Sequence, residues 1–310
     1  MAAIFCYEAV RVELATKWIA SGDLGQMQRA VSIEPGDADN WDQLGRFVQF
    51  TLDTEDLRGA LRDYEAAVRI SPETARYWVD LAVVQENLGN SKEARDDFAE
   101  ALKVYPASAE VHWEYGNFLL RQDQLAAAMS EMHVAVMGDR SLLPLAVTRA
   151  WRSTQDAEAI ATQLLPAESS AYIETLNFFA TENLDAGLEI WHRLAQLPVH
   201  FSIDKLFPFL DELIREERSA DAVRMWLEGL AKCGLPNRSL PDQSVVWNGG
   251  FEQDVLNGGF DWRMESRPGM TWDYDTSVFR GGLRSIRLED RKSTRLNSSH
   301  PVLSRMPSSA

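Results

Sequence analysis

Cysteine is nearly absent from this chain of 310 residues, and its two examples, Cys6 and Cys233, stand too far apart for any metal or disulfide spacing. Both read as buried free thiols. Histidine is scarce too, and none of the four that precede residue 290 (His112, His133, His192, His200) is paired at ligand spacing. No Gly-rich phosphate loop, His-Glu-x-x-His pair, Gly-x-Ser-x-Gly elbow or Cys-x-x-Cys occurs, so cofactors and metals are expected to be none and catalytic residues none. Acidic pairs such as Asp96-Asp97 and Glu216-Glu217 read as solvated helix faces rather than a general acid and base. Cations are in deficit, 31 against 47 acids, and the formal charge of −16 excludes a phosphate-binding or anionic-membrane surface. No run of about 18 apolar residues is present to cross a bilayer. Ala2 to Tyr7 is apolar but too short for a signal-peptide core, and no basic residue precedes it.

What remains is an ordinary globular balance, 45% hydrophobic and 25% charged, with a strong internal period. From Ala75 to Pro106 the chain reads as two amphipathic helices about a turn at Leu88-Gly89-Asn90. Trp78, Leu81 and Ala82 share a face of the first helix, and Ala94, Phe98 and Ala101 share the facing side of the second. The small residues let the two backbones approach, and the rings fill the space toward neighbouring pairs. Pro106 ends the second helix because it lacks an amide hydrogen. Earlier in the chain, Trp41, Leu44 and Gly45, then Ala60, Tyr64, Ala67 and Pro72, repeat the order. Trp41 and Trp78 are 37 residues apart, three more than the spacing from Pro72 to Pro106, which places an insertion in the Thr51 to Asp56 turn. His112, Tyr115 and Gly116, followed by Ala128, Met132 and Ala135, lie 34 residues beyond their counterparts. His112 thus takes the tryptophan position and is expected to pack there. Met27, Ala30 and Pro35 mark a worn first repeat whose opening helix caps the stack.

This order of large and small residues, at this period, resembles the tetratricopeptide repeat. The resemblance implies an α-solenoid of helix hairpins, best formed over 38–140 and extended over 1–234 by degenerate repeats. Helices are expected over Ala157–Leu165, Ala171–Thr181, Leu184–Leu197, Ile203–Glu217 and Ala220–Lys232, with Pro144, Pro166, Pro198 and Pro208 as punctuation. In such stacks the first helices line a concave groove that takes a peptide or partner helix. Beside the packing positions that groove presents Asp42, Arg46, Phe50, Val79, Val83, Trp113, Asn117 and Arg121. Trp113 is the nominated anchor, because a large exposed aromatic can carry much of an interface; the alternative is that it fills space between repeats. The basic and asparagine constellation with which some members clamp a C-terminal carboxylate is not reproduced, since Val79 and Val83 stand where polar residues are needed.

The character changes at the proline-bearing linker, 235–244. Over 245–289 paired glycines, alternating apolar residues and Trp247, Trp262 and Trp272 suggest strands. Asn248-Gly249-Gly250-Phe251-Glu252, Trp262 and Gly281-Gly282-Leu283-Arg284 resemble the opening of a jelly-roll carbohydrate-binding module. That resemblance implies Trp262, Trp272 and Tyr274 as sugar-stacking candidates, with a sandwich core as the competing role for these rings. A jelly roll needs about eight strands and at most four fit, so a truncated β-sandwich is expected. Residues 290–310, with Ser293-Thr294-Arg295-Leu296-Asn297-Ser298-Ser299-His300, resemble translated sequencing-library adapter and are set aside from fold reasoning. Their four cations (Arg291, Lys292, Arg295, Arg305) meet no acid at 291–310, so the rest of the chain is more acidic still.

The expected function is a non-catalytic protein-interaction scaffold with an unidentified protein or peptide partner. The alternative is a cell-envelope glycan-binding protein that uses the solenoid as an assembly platform. Neither reading has a nucleic-acid partner, and membrane association would come only through an anchor absent from this chain. The compartment follows the same fork. A carbohydrate-binding-like sandwich suggests the periplasmic side of the envelope, if Ala2 to Tyr7 is the stub of a lost anchor, whereas a missing signal suggests the cytoplasm.

Overall fold

In the computed structural model the described residues are 2–51, 56–235, 247–265 and 268–290. They are mainly helical. The expected insertion at 52–55, most of the 235–244 linker and the adapter-like stretch beyond Asp290 lie outside them. The chain divides into two compact units, residues 1–179 with 185–197, and residues 180–184 with 198–310. The division falls before the proline-bearing linker, within the stretch assigned from sequence to the solenoid.

The first unit opens with four helix hairpins: α1 (Ala2–Ile19) with α2 (Leu24–Ile33), α3 (Ala38–Phe50) with α4 (Leu57–Ile70), α5 (Ala75–Asn87) with α6 (Ser91–Val104), and α7 (Ala109–Arg121) with α8 (Leu125–Gly138). Local chemistry starts several of these helices. The side chains of Asp23, Asp37, Asp56 and Ser108 accept hydrogen bonds from first-turn amides that have no partner inside the helix. Gly89, at φ +84°, makes the sharp turn from α5 to α6 that the Leu88-Gly89-Asn90 signal predicted.

The first helices α3, α5 and α7 each meet the end of the hairpin before them through a ring nitrogen. Trp41 Nε1 donates to the carbonyl of Pro35 at 3.0 Å, and Trp78 Nε1 to that of Pro72 at 2.8 Å. The proline that cannot continue a helix thus leaves a carbonyl six residues ahead of an indole. His112 keeps the arrangement, with Nε2 2.9 Å from the Pro106 carbonyl, and adds a contact of Nδ1 with Glu131 Oε2 at 2.6 Å.

Burial follows the repeat pattern. Tyr64, Phe98 and Met132 are fully buried, as are Ala60, Ala94 and Ala128. Phe98 lies 5.2 Å from Tyr115 and 5.3 Å from Phe118 between ring centroids. The small residue facing each second helix is required at two positions. A Cβ on Gly45 would stand 2.9 Å from the Tyr64 ring, and one on Gly116 would stand 3.0 Å from Met132 Cγ. Gly45, Ala82 and Gly116 therefore form a column on which the helix pairs close.

Beyond α8 come α9 (Leu143–Thr154), a short α10 (Ala157–Ala159) that widens into a π turn over Ile160–Leu164, α11 (Ser169–Glu182) and α12 (Leu184–Gln196). Pro144 does not break the chain here. It occupies the first turn of α9, where its missing amide hydrogen costs nothing. Trp151 of α9 meets Phe179 edge to face at 4.8 Å.

The second unit holds a 3-10 turn at Ile203–Leu206, α13 (Phe207–Arg215), α14 (Ser219–Lys232) and the antiparallel pair β1 (Met270–Asp275) and β2 (Ser285–Asp290). Pro208, like Pro144, sits in a first helical turn. The glycine-rich segment packs on these last helices. A Cβ on Gly258 would stand 2.2 Å from the Phe207 ring, and one on Gly259 2.5 Å from the Trp226 ring. Trp226 also meets Trp247 and Phe260 edge to face. The segment itself is doubled: Asn248-Gly-Gly-Phe and Asn257-Gly-Gly-Phe recur nine residues apart, with both asparagines at positive φ. Among the described residues only these two strands form, so a jelly roll is not seen here.

Candidate partner-binding face

Consecutive first helices touch, α1 with α3, α3 with α5 and α5 with α7, while each second helix packs between its own first helix and the next one. The first helices therefore form the tighter, inner side of the stack, and a face runs across α3, α5 and α7.

The charged groups on that face are spent on one another across the repeats. Arg46 of α3 reaches Asp80 of α5, with Nη1 3.7 Å from Oδ2. Arg76 of α5 reaches back to Asp39 and lies 3.3 Å from Asp42 Oδ2. Arg121 of α7 holds Glu86 of α5 with two parallel bonds of 2.6 Å. Arg149 of α9 donates to Asn117 Oδ1 of α7, and its guanidinium lies 4.7 Å from the centre of the Trp113 ring. These pairs are separated by 32 to 37 residues, about one repeat. Such spacing is the signal in the sequence that identifies Asp39, Arg76, Asp80, Glu86 and Arg149, none of which was nominated.

The apolar nominees divide. Phe50 is 64% exposed at the end of α3, whereas Val79 is buried. Val83 and Trp113 are half-buried, and Asn117 and Asp42 are buried. Trp113 is both a spacer against Arg149 and a partly open ring.

Burial shifts several acids. Asp42 is pushed up to about 7, by burial first and then by the charge of Asp80, against the pull of Arg76 and Arg46. Asp80 and Glu114 are also raised, again chiefly by burial. On the second helices, burial raises Asp63 to about 6 and Asp97 to about 7. A cleft of about 690 Å³ opens between α2, α3 and α4, floored by Leu24, Val31, Trp41, Leu44 and Val48 and edged by Asp56 and Asp63.

In the second unit, the rings of the sugar-stacking candidates already have neighbours. Trp262 lies 4.8 Å from Phe251 and donates Nε1–H to the carbonyl of Asn248. Tyr274 has the Arg284 guanidinium 3.8 Å from its centre, meets Trp272 edge to face, and accepts a hydrogen bond from Val255 N. Arg284 is fixed in turn by the Phe251 carbonyl and Asp254. Among the described residues no cluster of His, Cys, Asp or Glu could hold a metal ion, and no helix is long and apolar enough to cross a membrane.

Residues 52–102 and 85–136 match the tetratricopeptide repeat family. No curated protein matches the sequence. Among solved structures, YrrB, a TPR protein described as having an unusual peptide-binding site, is 17% identical, covering 66% of this chain and 91% of its own, with a TM-score of 0.31. Pseudomonas aeruginosa pilF is 16% identical over 70% of this chain and 87% of its own, with a TM-score of 0.38. A chain of the Cut9-Hcn1 hetero-tetramer of APC/C is 14% identical over 73% of this chain and 41% of its own, with a TM-score of 0.37. The stacked hairpins and the matched stretch define a tetratricopeptide-type α-solenoid.

Proposed function

We propose that this chain is a non-catalytic scaffold that holds a segment of a protein partner against the first-helix face of α3, α5 and α7. The observation that carries this reading is the division of labour on that face. Its cations are committed to carboxylates and an amide one repeat away, while Phe50, Val83 and Trp113 stay wholly or partly open between those pairs. A partner recognised there gains little from offering acids, because the cations of this face already face carboxylates or an amide of the neighbouring repeat. It gains from burying apolar surface, so the segment it accepts is apolar or mixed rather than strongly charged.

The test is selection of a random peptide library on the full chain, followed by titration of the enriched peptides against Trp113→Ala and Phe50→Ala. Enriched peptides should carry large apolar residues, and Trp113→Ala should weaken binding by about tenfold or more while leaving the helical circular dichroism unchanged. Enrichment of peptides that bind Trp113→Ala and Phe50→Ala as well as the parent would refute the assignment of this face.

A further inference from the structure

Two of the acids on this face stand on adjacent repeats, Asp42 buried and Asp80 partly buried, and the charge of Asp80 bears on Asp42. The Asp42 side chain on α3 is 1% exposed and that of Asp80 on α5 is 17% exposed. Neither carboxylate oxygen of Asp42, nor Oδ2 of Asp80, has a hydrogen-bond partner among the described residues. The arginines stand near without closing the gap: Arg76 Nη2 is 3.3 Å from Asp42 Oδ2, and Arg46 Nη1 is 3.7 Å from Asp80 Oδ2. An ionised carboxylate held away from water with no donor is costly, and a second one beside it adds repulsion.

The other groups around the pair do not relieve it. Asp39 on α3 takes part of Arg76, and Glu110 and Glu114 on α7 add negative charge toward Asp80. Tyr64 on α4 is turned to Gln49, donating its hydroxyl hydrogen to Oε1 at 2.8 Å, and Tyr77 on α5 lies under Arg76. Arg11 of α1 is engaged with Glu8 and Glu34, and Arg95 of α6 with Gln124.

We propose that Asp42 and Asp80 form a proton latch between the first helices of two repeats, closed while the pair holds one proton and loosened when that proton passes to water. The latch is a property of the α3–α5 seam and stands whether or not the face binds a peptide. Burial raises both acids, so the folded state holds a proton that the unfolded chain has released. The stability this contributes is complete below the unfolded carboxylate range and is lost as pH rises toward about 7, where Asp42 gives up its proton.

The experiment is amide hydrogen exchange on the full chain from about pH 5 to about pH 8, with rates corrected for intrinsic pH dependence. Protection in α3 and α5 should fall by up to about tenfold per pH unit and level off above about pH 7, one proton being linked to opening. In a background carrying Asp63→Asn and Asp97→Asn, which removes the second-helix acids raised toward that range, Asp42→Asn, which keeps the shape and cannot ionise, should flatten the dependence that remains. A slope in α3 and α5 that survives in Asp42→Asn, or is missing from the parent chain, overturns the latch. Should Asp42→Asn fail to fold, the infrared band of protonated carboxyl is followed in a chain carrying Asp63→Asn and Asp97→Asn. The band lost between about pH 5.5 and about pH 8 should shrink when Asp80→Asn is added, which supports the latch, and a band unchanged by Asp80→Asn refutes it.

Discussion

Removing the ring of Phe98 tests whether nearest-neighbour packing holds the repeats. The side chain is fully buried in α6, with Tyr115 and Phe118 of α7 at 5.2 and 5.3 Å, so it bridges one hairpin to the next. A buried phenylalanine removes about 150–250 Å² from water, and at about 25 cal/mol per Å² most of that is worth roughly 3–4 kcal/mol once alanine remains. The two ring contacts add about 0.5–1.5 kcal/mol each at most, which makes the sum an upper bound because the unfolded chain already buries part of this area; emptying such a site costs about 3–5 kcal/mol. Phe98→Ala should therefore lower the urea-unfolding free energy by about 3–5 kcal/mol. Because each hairpin supports only its neighbours, hydrogen exchange should quicken first in α5 to α8 and least in α1 and α12. A loss below about 1 kcal/mol, or an equal loss of protection along the whole first unit, would refute a stack coupled through this ring.

Gly45→Ala drives a Cβ to 2.9 Å from the Tyr64 ring and should cost about 1–3 kcal/mol, while Gly36→Ala, which meets nothing within 4 Å, should stay within about 0.5 kcal/mol; thermal melts compare them. Asp97, raised to about 7 by burial and then by Asp96, Glu65, Glu93 and Glu100, makes the fold lose stability as pH climbs from the unfolded carboxylate range toward 7. Asp97→Asn should accordingly raise the melting temperature at about pH 8 more than at about pH 5, and equal shifts at both would contradict the burial argument. Arg121→Ala, from a pair whose arginine is 52% exposed, should cost less than about 1 kcal/mol in denaturant titration. His112→Trp keeps a donor for the Pro106 carbonyl and strips Glu131 of its partner; a double-mutant cycle with Glu131→Gln should show a coupling of about 1–3 kcal/mol, and additive values would show the pair to be idle.

The repeat core was legible because each of its requirements falls at a fixed distance along the chain. A small residue faces each second helix at Gly45, Ala82 and Gly116, and a large one fills each hairpin at Tyr64, Phe98 and Met132. The helix at Leu143–Thr154 was not legible by the same rule, because Pro144 reads equally as a breaker and as a first-turn residue. The expected Ile203–Glu217 helix begins as a tighter turn for the same reason, with Pro208 in the first turn of α13. In the second unit no periodicity links Trp226 to Gly258 and Gly259, which lie more than 30 residues beyond it. Their contact is a matter of shape, a ring laid on bare backbone, which composition alone cannot announce. On the candidate face the nominated positions came from repeat register. Their state did not, because an arginine on an amphipathic helix looks solvated until its partner one repeat away is known.

That last point bears on how a repeat array acquires a specific surface. The column Asp63, Asp97, Glu131 recurs at 34-residue steps on the second helices, and the column Trp41, Trp78, His112 recurs on the first. In the first two repeats the ring offers a single N–H, already given to a proline carbonyl, and the acid beside the column stays raised by burial. In the third, histidine supplies a second nitrogen, and Glu131 accepts it. One substitution in the packing position thus turns a strained acid into a bonded one without disturbing the hairpin's closure on Pro106. The same logic governs the inner face, where two hydrogen bonds from Arg121 hold Glu86 while Asp42 and Asp80 have arginines at 3.3 and 3.7 Å that give them no hydrogen bond. Repeats that share one fold therefore differ in how completely their buried acids are answered, and the unanswered pair marks the seam where a change of charge has the most to move.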